Sequence, residues 1–388
     1  SLKMESIKRF FKATSQSFFL FGPRGTGKSF LIKSLFPQAL CLDLLDQETF
    51  RNYASHPERL RELIAANPGI QPVIIDEIQK IPALLDVVHQ QIEEQPARQF
   101  ILTGSSARKL KRAGVNLLAG RALNLTLHPF MAAELGQNFN LSAALEHGLI
   151  PLIQFAQQPV ANLRAYVSLY LKEEVQQEAL VRNIGSFARF LEVISLSHAT
   201  VINLTNIARE CSVGQKTVAG YLSVLEDLLL AYRIPIFKQR AKRAMITHEK
   251  LYIFDAGVFQ ALRPHGPLDT ASELNGQALE GLVVEHLRTW NAYRGNHNKL
   301  FYWRTRSGVE VDSIVYGPDG LWAFEIKNST TVLPADLRPL RSFKSDYPES
   351  KVCLLYRGKD RLLKQGILCL PVDDFLKNLQ PDKLPLAD

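Results

Sequence analysis

The chain has 388 residues, of which 46% are hydrophobic and 22% charged. That composition supports a folded core, and because single cores stop growing near roughly 250–300 residues it predicts two or three domains. The net charge of +8 favours anionic partners without selecting one, and the four cysteines (Cys41, Cys211, Cys353, Cys369), scattered without CxxC or zinc spacing, argue against a structural metal.

Short apolar runs fall at 18–21, 40–44, 73–75, 100–102 and 123–127, with helix-like spacing at 29–36, 57–66 and 83–93 between them. Strand and helix in alternation predict a parallel sheet covered on both faces. From about 140 to 235 helical periods dominate, through 163–180 and 187–197. A second alternating section begins near Lys299, with strands expected at 301–303, 309–315, 321–326 and 352–356. The polar, turn-rich stretch RPHGPLDTASELNG separates the last two sections. The expected organisation is therefore an α/β domain over 1–135, a helical region over 136–265 and a small α/β domain over 266–388. No signal-peptide pattern is visible, and no apolar run nears the roughly 20 residues of a bilayer span, so a cytoplasmic location with no membrane is expected.

The stretch FFLFGPRGTGKSFLIKSLF leaves a strand, spends glycines freely and enters a helix. Gly22-Pro23-Arg24-Gly25-Thr26-Gly27-Lys28-Ser29 fits G-x-x-x-x-G-K-[ST]. The glycines let backbone N–H groups converge on phosphate oxygens, Lys28 would reach the β- and γ-phosphates, and Ser29 would ligate Mg²⁺ at the helix's positive end. In PVIIDEIQKIP an apolar strand ends in Asp76-Glu77, the form of a Walker B element. Asp76 would hold Mg²⁺ and Glu77 would polarise the attacking water. In FILTGSSARKL, Thr103 closes the next strand where a polar side chain can sense the γ-phosphate or position that water; Ser105 and Ser106 read equally well as helix caps. The two elements, in this order, specify an ATP site with Mg²⁺.

The blocks LFGPRGTGKSFL, VIIDEIQKIP, FILTGSSARKL and LLAGRALNLTLHPF, followed by Glu134-Leu135, resemble one branch of the bacterial and archaeal AAA-type P-loop ATPases. The resemblance covers most of the chain in scattered blocks, and it implies a C-terminal region of poorly defined function. It also makes Arg121, in the AGR block, the candidate arginine finger or second sensor, with Arg108 and Arg112 as competitors. Where the related ATPases carry Gly-Gly-x-Pro and Arg-Asp, this chain has HGLIP (Gly148, Pro151) and KEEV (Lys172, Glu173, Glu174).

In NLTNIARECSVGQKTVAGYLSVLEDLL the spacing predicts a helix, a turn with Gly214 at the bend, and a second helix presenting Val218, Tyr221, Leu222 and Leu225 on one face. Two strands around a basic loop follow, completing a winged-helix pattern. Two uses fit it. One puts Gln215, Lys216 and Thr217 at a major groove with Lys238, Arg240, Lys242 and Arg243 on phosphates; the other is packing only.

The C-terminal section GQALEGLVVEHL and WRTRSGVEVDSIVYGPDGLWAFEIKNS resembles the PD-(D/E)XK core of restriction-endonuclease-like nucleases. By that resemblance Glu280, Asp312 and Glu325 would hold a divalent metal, and Lys327 would orient water or steady the phosphate. Strand alternation puts Glu325 and Lys327 on one face. The competing reading ties these carboxylates into salt bridges with Arg304, Arg306 and Lys327. The aromatic run Phe301-Tyr302-Trp303 reads as core rather than as a base-stacking platform. Three functions follow: an ATPase switch or motor on DNA, a metal-dependent DNA nuclease gated by the ATPase, or a regulator that binds a protein partner according to nucleotide state. A homo-oligomer is compatible with each.

Overall fold

Runs without polar alternation build strands buried on both faces, and the first sheet is made from them. The computed structural model describes residues 7–386 except 113–117, 119, 171–172, 174, 176–182 and 239–248. β1 (Ser17–Phe21), β2 (Leu40–Asp43), β3 (Val73–Asp76), β4 (Phe100–Gly104) and β5 (Ala122–Thr126) pair in parallel in the order β2-β3-β4-β1-β5. β1, β3 and β4 are buried at every residue, whereas the edge strands β2 and β5 are partly exposed. This is the mixed α/β, parallel-sheet arrangement expected of a P-loop NTPase fold. Because the strands are parallel, their C-terminal ends share one edge. The chain crosses to β2 on one side of β1 and to β5 on the other, which creates a crevice at the end of β1 where ligands bind in such sheets.

The helix Leu84–Glu94 covers this sheet through Leu84, Leu85, Val88 and Ile92, an i, i+4, i+8 stripe. Together with Phe19, Phe21, Ile75 and Leu102 these residues form one continuous core. By internal packing the chain divides into two compact units. One is Phe11–His128 with Glu226–Leu229, and the other holds the rest of the chain.

The second unit has two sheets. β6 (Thr200–Val201), β7 (Ala231–Ile234) and β8 (Lys250–Ile253) are antiparallel with β8 in the middle. β9 (Lys299–Arg304), β10 (Glu310–Gly317), β11 (Gly320–Lys327), β12 (Lys351–Tyr356), β13 (Leu362–Lys364) and β14 (Ile367–Pro371) form a mixed sheet in the order β13-β14-β12-β11-β10-β9. β9, β10 and β11 are an antiparallel meander, and β12 and β14 add in parallel. Tyr302 and Trp303 are buried, so the aromatic run is core as expected.

The turn-rich stretch ending at Gly276, where a domain boundary is expected, lies inside one compact unit by internal packing. The physical reason is the helix Ala271–Tyr293, which begins inside that stretch. It buries residues on every side, including Leu279, Leu282, Val283, Val284, Leu287 and Trp290, and so unites the helices before it with the sheet after it. Gly281 lets it approach His198 closely, since a Cβ there would stand 2.4 Å from the imidazole Nε2. The helix pair Leu204–Glu210 and Gln215–Asp227 is present with the expected buried face. The bend is made differently. The left-handed residue is Ser212 at φ 54°, while Gly214 is not in that region. Val213 N–H donates to Ala208 O at 3.1 Å and Ser212 N–H to Arg209 O at 3.2 Å, a Schellman closure of the first helix.

Candidate functional site

The loop after β1 takes the shape its glycines permit. Gly25 and Gly27 adopt φ of 83° and 88°, and a Cβ on Gly22 would stand 2.5 Å from Leu127 O, a clash with backbone. Gly27 caps the helix Lys28–Leu35 with no side-chain bond, which leaves its first-turn amides directed at the loop. Thr26 braces the loop by donating its hydroxyl to Pro23 O at 2.7 Å. Lys28 is buried and donates to Gly22 O at 2.6 Å and Pro23 O at 3.2 Å. Arg24 is exposed at the loop's apex.

Strand order delivers the second half of the site. Asp76 ends β3 and Thr103 lies near the end of β4, one strand away from the loop. Ser29 donates its hydroxyl to Asp76 Oδ1 at 2.9 Å, and Thr103 Oγ1–H donates to the same oxygen. Asp76 is 1% exposed, and its other oxygen, Oδ2, has no hydrogen-bond partner among the described residues. A buried carboxylate with an open oxygen beside a serine hydroxyl is the donor set of a hard divalent cation, so these residues fit Mg²⁺.

Thr103 Oγ1 also accepts from Glu77 N–H at 3.2 Å, so this hydroxyl fixes both acidic residues. Its proton is engaged with Asp76. Glu77 adopts φ 62° and ψ 45°, the left-handed region that costs a non-glycine residue on the order of 1 kcal/mol and gathers at functional sites. The Glu77 carboxylate accepts from the Gln79 amide, and that amide also reaches Ser105 Oγ at 3.4 Å. Gln79 was missed from sequence. Its signal was a polar side chain two positions beyond Glu77, in the short turn Ile78–Lys80. Ser106 Oγ accepts from Arg108 N–H at 3.3 Å, the capping role.

Arg121 immediately precedes β5, at the edge of the sheet opposite the phosphate loop, and is paired with Glu93. The length of β5, about 16 Å at the usual rise per residue, separates it from the loop of its own chain. Acting within its own chain is therefore outside its reach. Arg108 lies on the correct edge but is ion-paired with Asp227. Gln215, Lys216, Thr217 and Lys238 are exposed, with the Gln215 amide bonded to Thr205 Oγ1. Arg240, Lys242 and Arg243, like Lys172 and Glu174, lie outside the described residues. Gly148 has φ 74°, and a Cβ there would meet the Asp255 carboxylate at 1.9 Å, so this glycine makes room for a buried cap.

The C-terminal carboxylates do come together, but not around space for a metal. Asp312 lies beside Glu325 on the β10–β11 hairpin, its Oδ2 accepting from Ile326 N–H at 2.8 Å. Glu280 reaches them from the helix Ala271–Tyr293. Lys250, at the start of β8, stands among them with its ammonium 3.1 Å from Glu280, 2.5 Å from Glu310 and 3.8 Å from Asp312. Lys327 is paired with Glu325 at 2.7 Å. Among the described residues no three His, Cys, Asp or Glu side chains are arranged to hold a metal ion. The expected set Glu280, Asp312 and Glu325 therefore does not fit a divalent cation as it stands. Salt bridging was foreseen from Arg304, Arg306 and Lys327, whereas its main source, Lys250, was not.

Burial raises Glu280 to about 7, and Asp312 adds to that against the opposing effects of Lys250 and Tyr252. Burial likewise raises Asp312, against Lys250 and the Ile326 N–H, and lifts Glu325 well above the carboxylate range, with Asp312 contributing. For Lys250 burial works to lower the pKa, but Glu280, Asp312 and Glu310 together raise it.

Residues 14–136 match the AAA domain family. The remainder matches two families described as domains of unknown function, one over 131–269 (DUF8612) and one over 275–375 (DUF4143). The chain is 28% identical over 379 residues to an uncharacterized protein of Mycobacterium tuberculosis, covering 94% of this chain and 82% of that one. A Haemophilus influenzae protein, also uncharacterized, is 24% identical over 280 residues, 66% of each chain. A solved replication initiator, DnaA bound to AMPPCP and single-stranded DNA, aligns at TM-score 0.29 and 14% identity over 56% of this chain and 83% of its own, a likeness too slight to bear on fold or function. No helix among the described residues is long and apolar enough to cross a membrane.

Proposed function

We propose that the protein binds and hydrolyses ATP with Mg²⁺ at the end of β1 and β3, and that nucleotide state switches its action on DNA. The observation that carries the first part is the open, buried Oδ2 of Asp76 beside Ser29 and Glu77. The AAA family match over 14–136 supports the same reading.

Each residue has a definite task. Lys28 exchanges its bonds to the carbonyls of Gly22 and Pro23 for phosphate oxygens, so the loop itself holds the ammonium in place beforehand. The loop amides and the start of the helix Lys28–Leu35 take the rest of the phosphate charge. Ser29 and Asp76 would hold Mg²⁺, which supplies charge neutralisation at the β- and γ-phosphates. Glu77 accepts the proton of the attacking water, its backbone held by Thr103 and its carboxylate by Gln79. Arg121, placed away from its own loop, serves a neighbouring subunit if it is the finger. Mixed Arg121→Ala and Glu77→Gln subunits should then recover hydrolysis, and an inactive mixture would exclude that role.

The DNA half rests on the exposed Gln215, Lys216 and Thr217 at the start of a helix that follows a closed turn, with Lys238 also exposed. Steady-state ATP hydrolysis with and without single- and double-stranded DNA, with Lys28→Ala as the blank, tests both halves. Several-fold stimulation by DNA supports the reading. Hydrolysis indifferent to DNA favours a protein partner instead, and no hydrolysis removes the ATPase. Nuclease action is the weaker alternative, because Lys250 stands among the carboxylates it would need for metal.

A further inference from the structure

The cation that Glu280 and Asp312 contact comes from a segment that no motif around them includes. Lys250 precedes Glu280 by 30 residues, as the separation of this contact shows. β8 carries it and Tyr252 two positions on, hence on the same strand face, and both donate to Glu280 Oε1, Tyr252 OH at 2.7 Å and Lys250 Nζ at 3.1 Å. Only 3% of the Lys250 side chain is exposed, and its ammonium also lies 5.5 Å from the centre of the Tyr302 ring. An ammonium buried this deeply persists only because paired carboxylates offset its lost hydration.

We propose that Lys250 is the resident cation of this cluster: it stands where the nuclease resemblance places a divalent metal, and the C-terminal sheet works without one. Mg²⁺ binds oxygen at about 2.0–2.1 Å and cannot share Glu280 and Asp312 with an ammonium already in their midst. Lys327 covers Glu325 in the same manner, at 2.7 Å. Yet Glu325 Oε2 is buried with no hydrogen-bond partner among the described residues, so the two ammonium groups leave carboxylate capacity unused. Removing Lys250 should therefore convert the cluster into a divalent-cation site.

Mn²⁺ binding to the nucleotide-free protein, followed by electron paramagnetic resonance, reads this directly and does not depend on ATP hydrolysis. The wild type should hold no Mn²⁺ that Asp312→Asn removes. Lys250→Ala should gain such a site, at least about tenfold tighter than the wild type and lost in the Lys250→Ala/Asp312→Asn double variant. Its melting temperature should also rise on adding Mn²⁺. Folding of Lys250→Ala only in the presence of Mn²⁺ counts as the same result. If it folds under neither condition, Lys250→Met with Glu310→Gln, which removes one charge of each sign, takes its place in the assay. Mn²⁺ bound to the wild type and lost on Asp312→Asn overturns the proposal. So does a folded Lys250 variant that binds no Mn²⁺.

Discussion

Two groups of acids, one buried and one half-buried, face opposite solutions to one electrostatic problem. At the end of β3, Asp76 keeps one oxygen bonded to Ser29 and Thr103 and leaves the other without a partner among the described residues. In the second unit, Glu280, Glu310 and Asp312 converge on an ammonium from their own chain. A carboxylate left open is suited to a cation that comes and goes with a ligand. A carboxylate neutralised internally serves the fold, and that cation does not leave without loss of stability. The difference shows why acid residues in a metal-binding pattern are not by themselves a metal site: the sign and origin of the nearest charge decide.

The sharpest break between the two groups comes from single substitutions. Glu77→Gln should lower ATP hydrolysis about 10²–10⁴-fold while leaving nucleotide binding in place, measured by turnover and by titration with a fluorescent ATP analogue. A variant that loses binding equally would make Glu77 structural. On the other side, Lys250→Met should destabilise its unit by about 2–3 kcal/mol, because it leaves half-buried carboxylates without their buried ammonium. Urea unfolding reads that directly. Asp76→Asn, at a carboxylate held by the hydroxyls of Ser29 and Thr103 rather than by an ion pair with an adjacent ammonium, should not lower the stability of the protein without nucleotide.

Acidity sharpens the comparison further. Burial raises Glu280 to about 7 in the folded protein, against 4.5 for the ordinary group, so folding favours its protonated form. Its contribution is fully present below about 4.5 and is lost as pH rises through about 7. Glu280→Gln removes that loss, so the variant's stability relative to wild type should improve across this window, by about 3 kcal/mol. His286, held neutral by burial with a pKa near 4, acts in the opposite direction, because protonating it as pH falls below 6.5 destabilises the fold. The comparison must therefore be read between the two proteins at each pH. A difference that stays flat from pH 4.5 to 7.5 would show that Glu280 is ionised throughout.

The smallest effect belongs to Gln79. Replacing it with Leu removes one hydrogen bond to the Glu77 carboxylate, and kcat should fall about two- to tenfold with KM unchanged. An unchanged kcat would show that Thr103 and the backbone at Glu77 position the acid without help.

The phosphate loop could be read from sequence because its physics is local. Gly25 and Gly27 occupy dihedral angles that other residues resist, and Lys28-Ser29 must follow at once to start the helix. The strands β1, β3 and β4 were legible for a related reason, since burial on both faces removes polar alternation. Gln79 and Lys250 were not legible. Each meets its partner through a turn or across a sheet, and neither belongs to a spacing rule. The turn-rich stretch near 265 stays inside one compact unit, because a loop leading into a buried helix has the same exposed-backbone composition as a linker.

By itself, then, the sequence determined the nucleotide end of the first unit: an apolar strand, a glycine loop and a helix start form wherever those residues stand in a row. It also placed Asp312, Glu325 and Lys327 on neighbouring strands, because alternation in a hairpin is local. Only the tertiary structure decided what those acids do. The helix Ala271–Tyr293 and β8 bring Glu280 and Lys250 to them from distant segments, and in a buried site the nearest opposite charge fixes the chemistry. Arg121 is positioned the same way, since parallel pairing puts the start of β5 at the opposite edge of the sheet from the loop of its own chain.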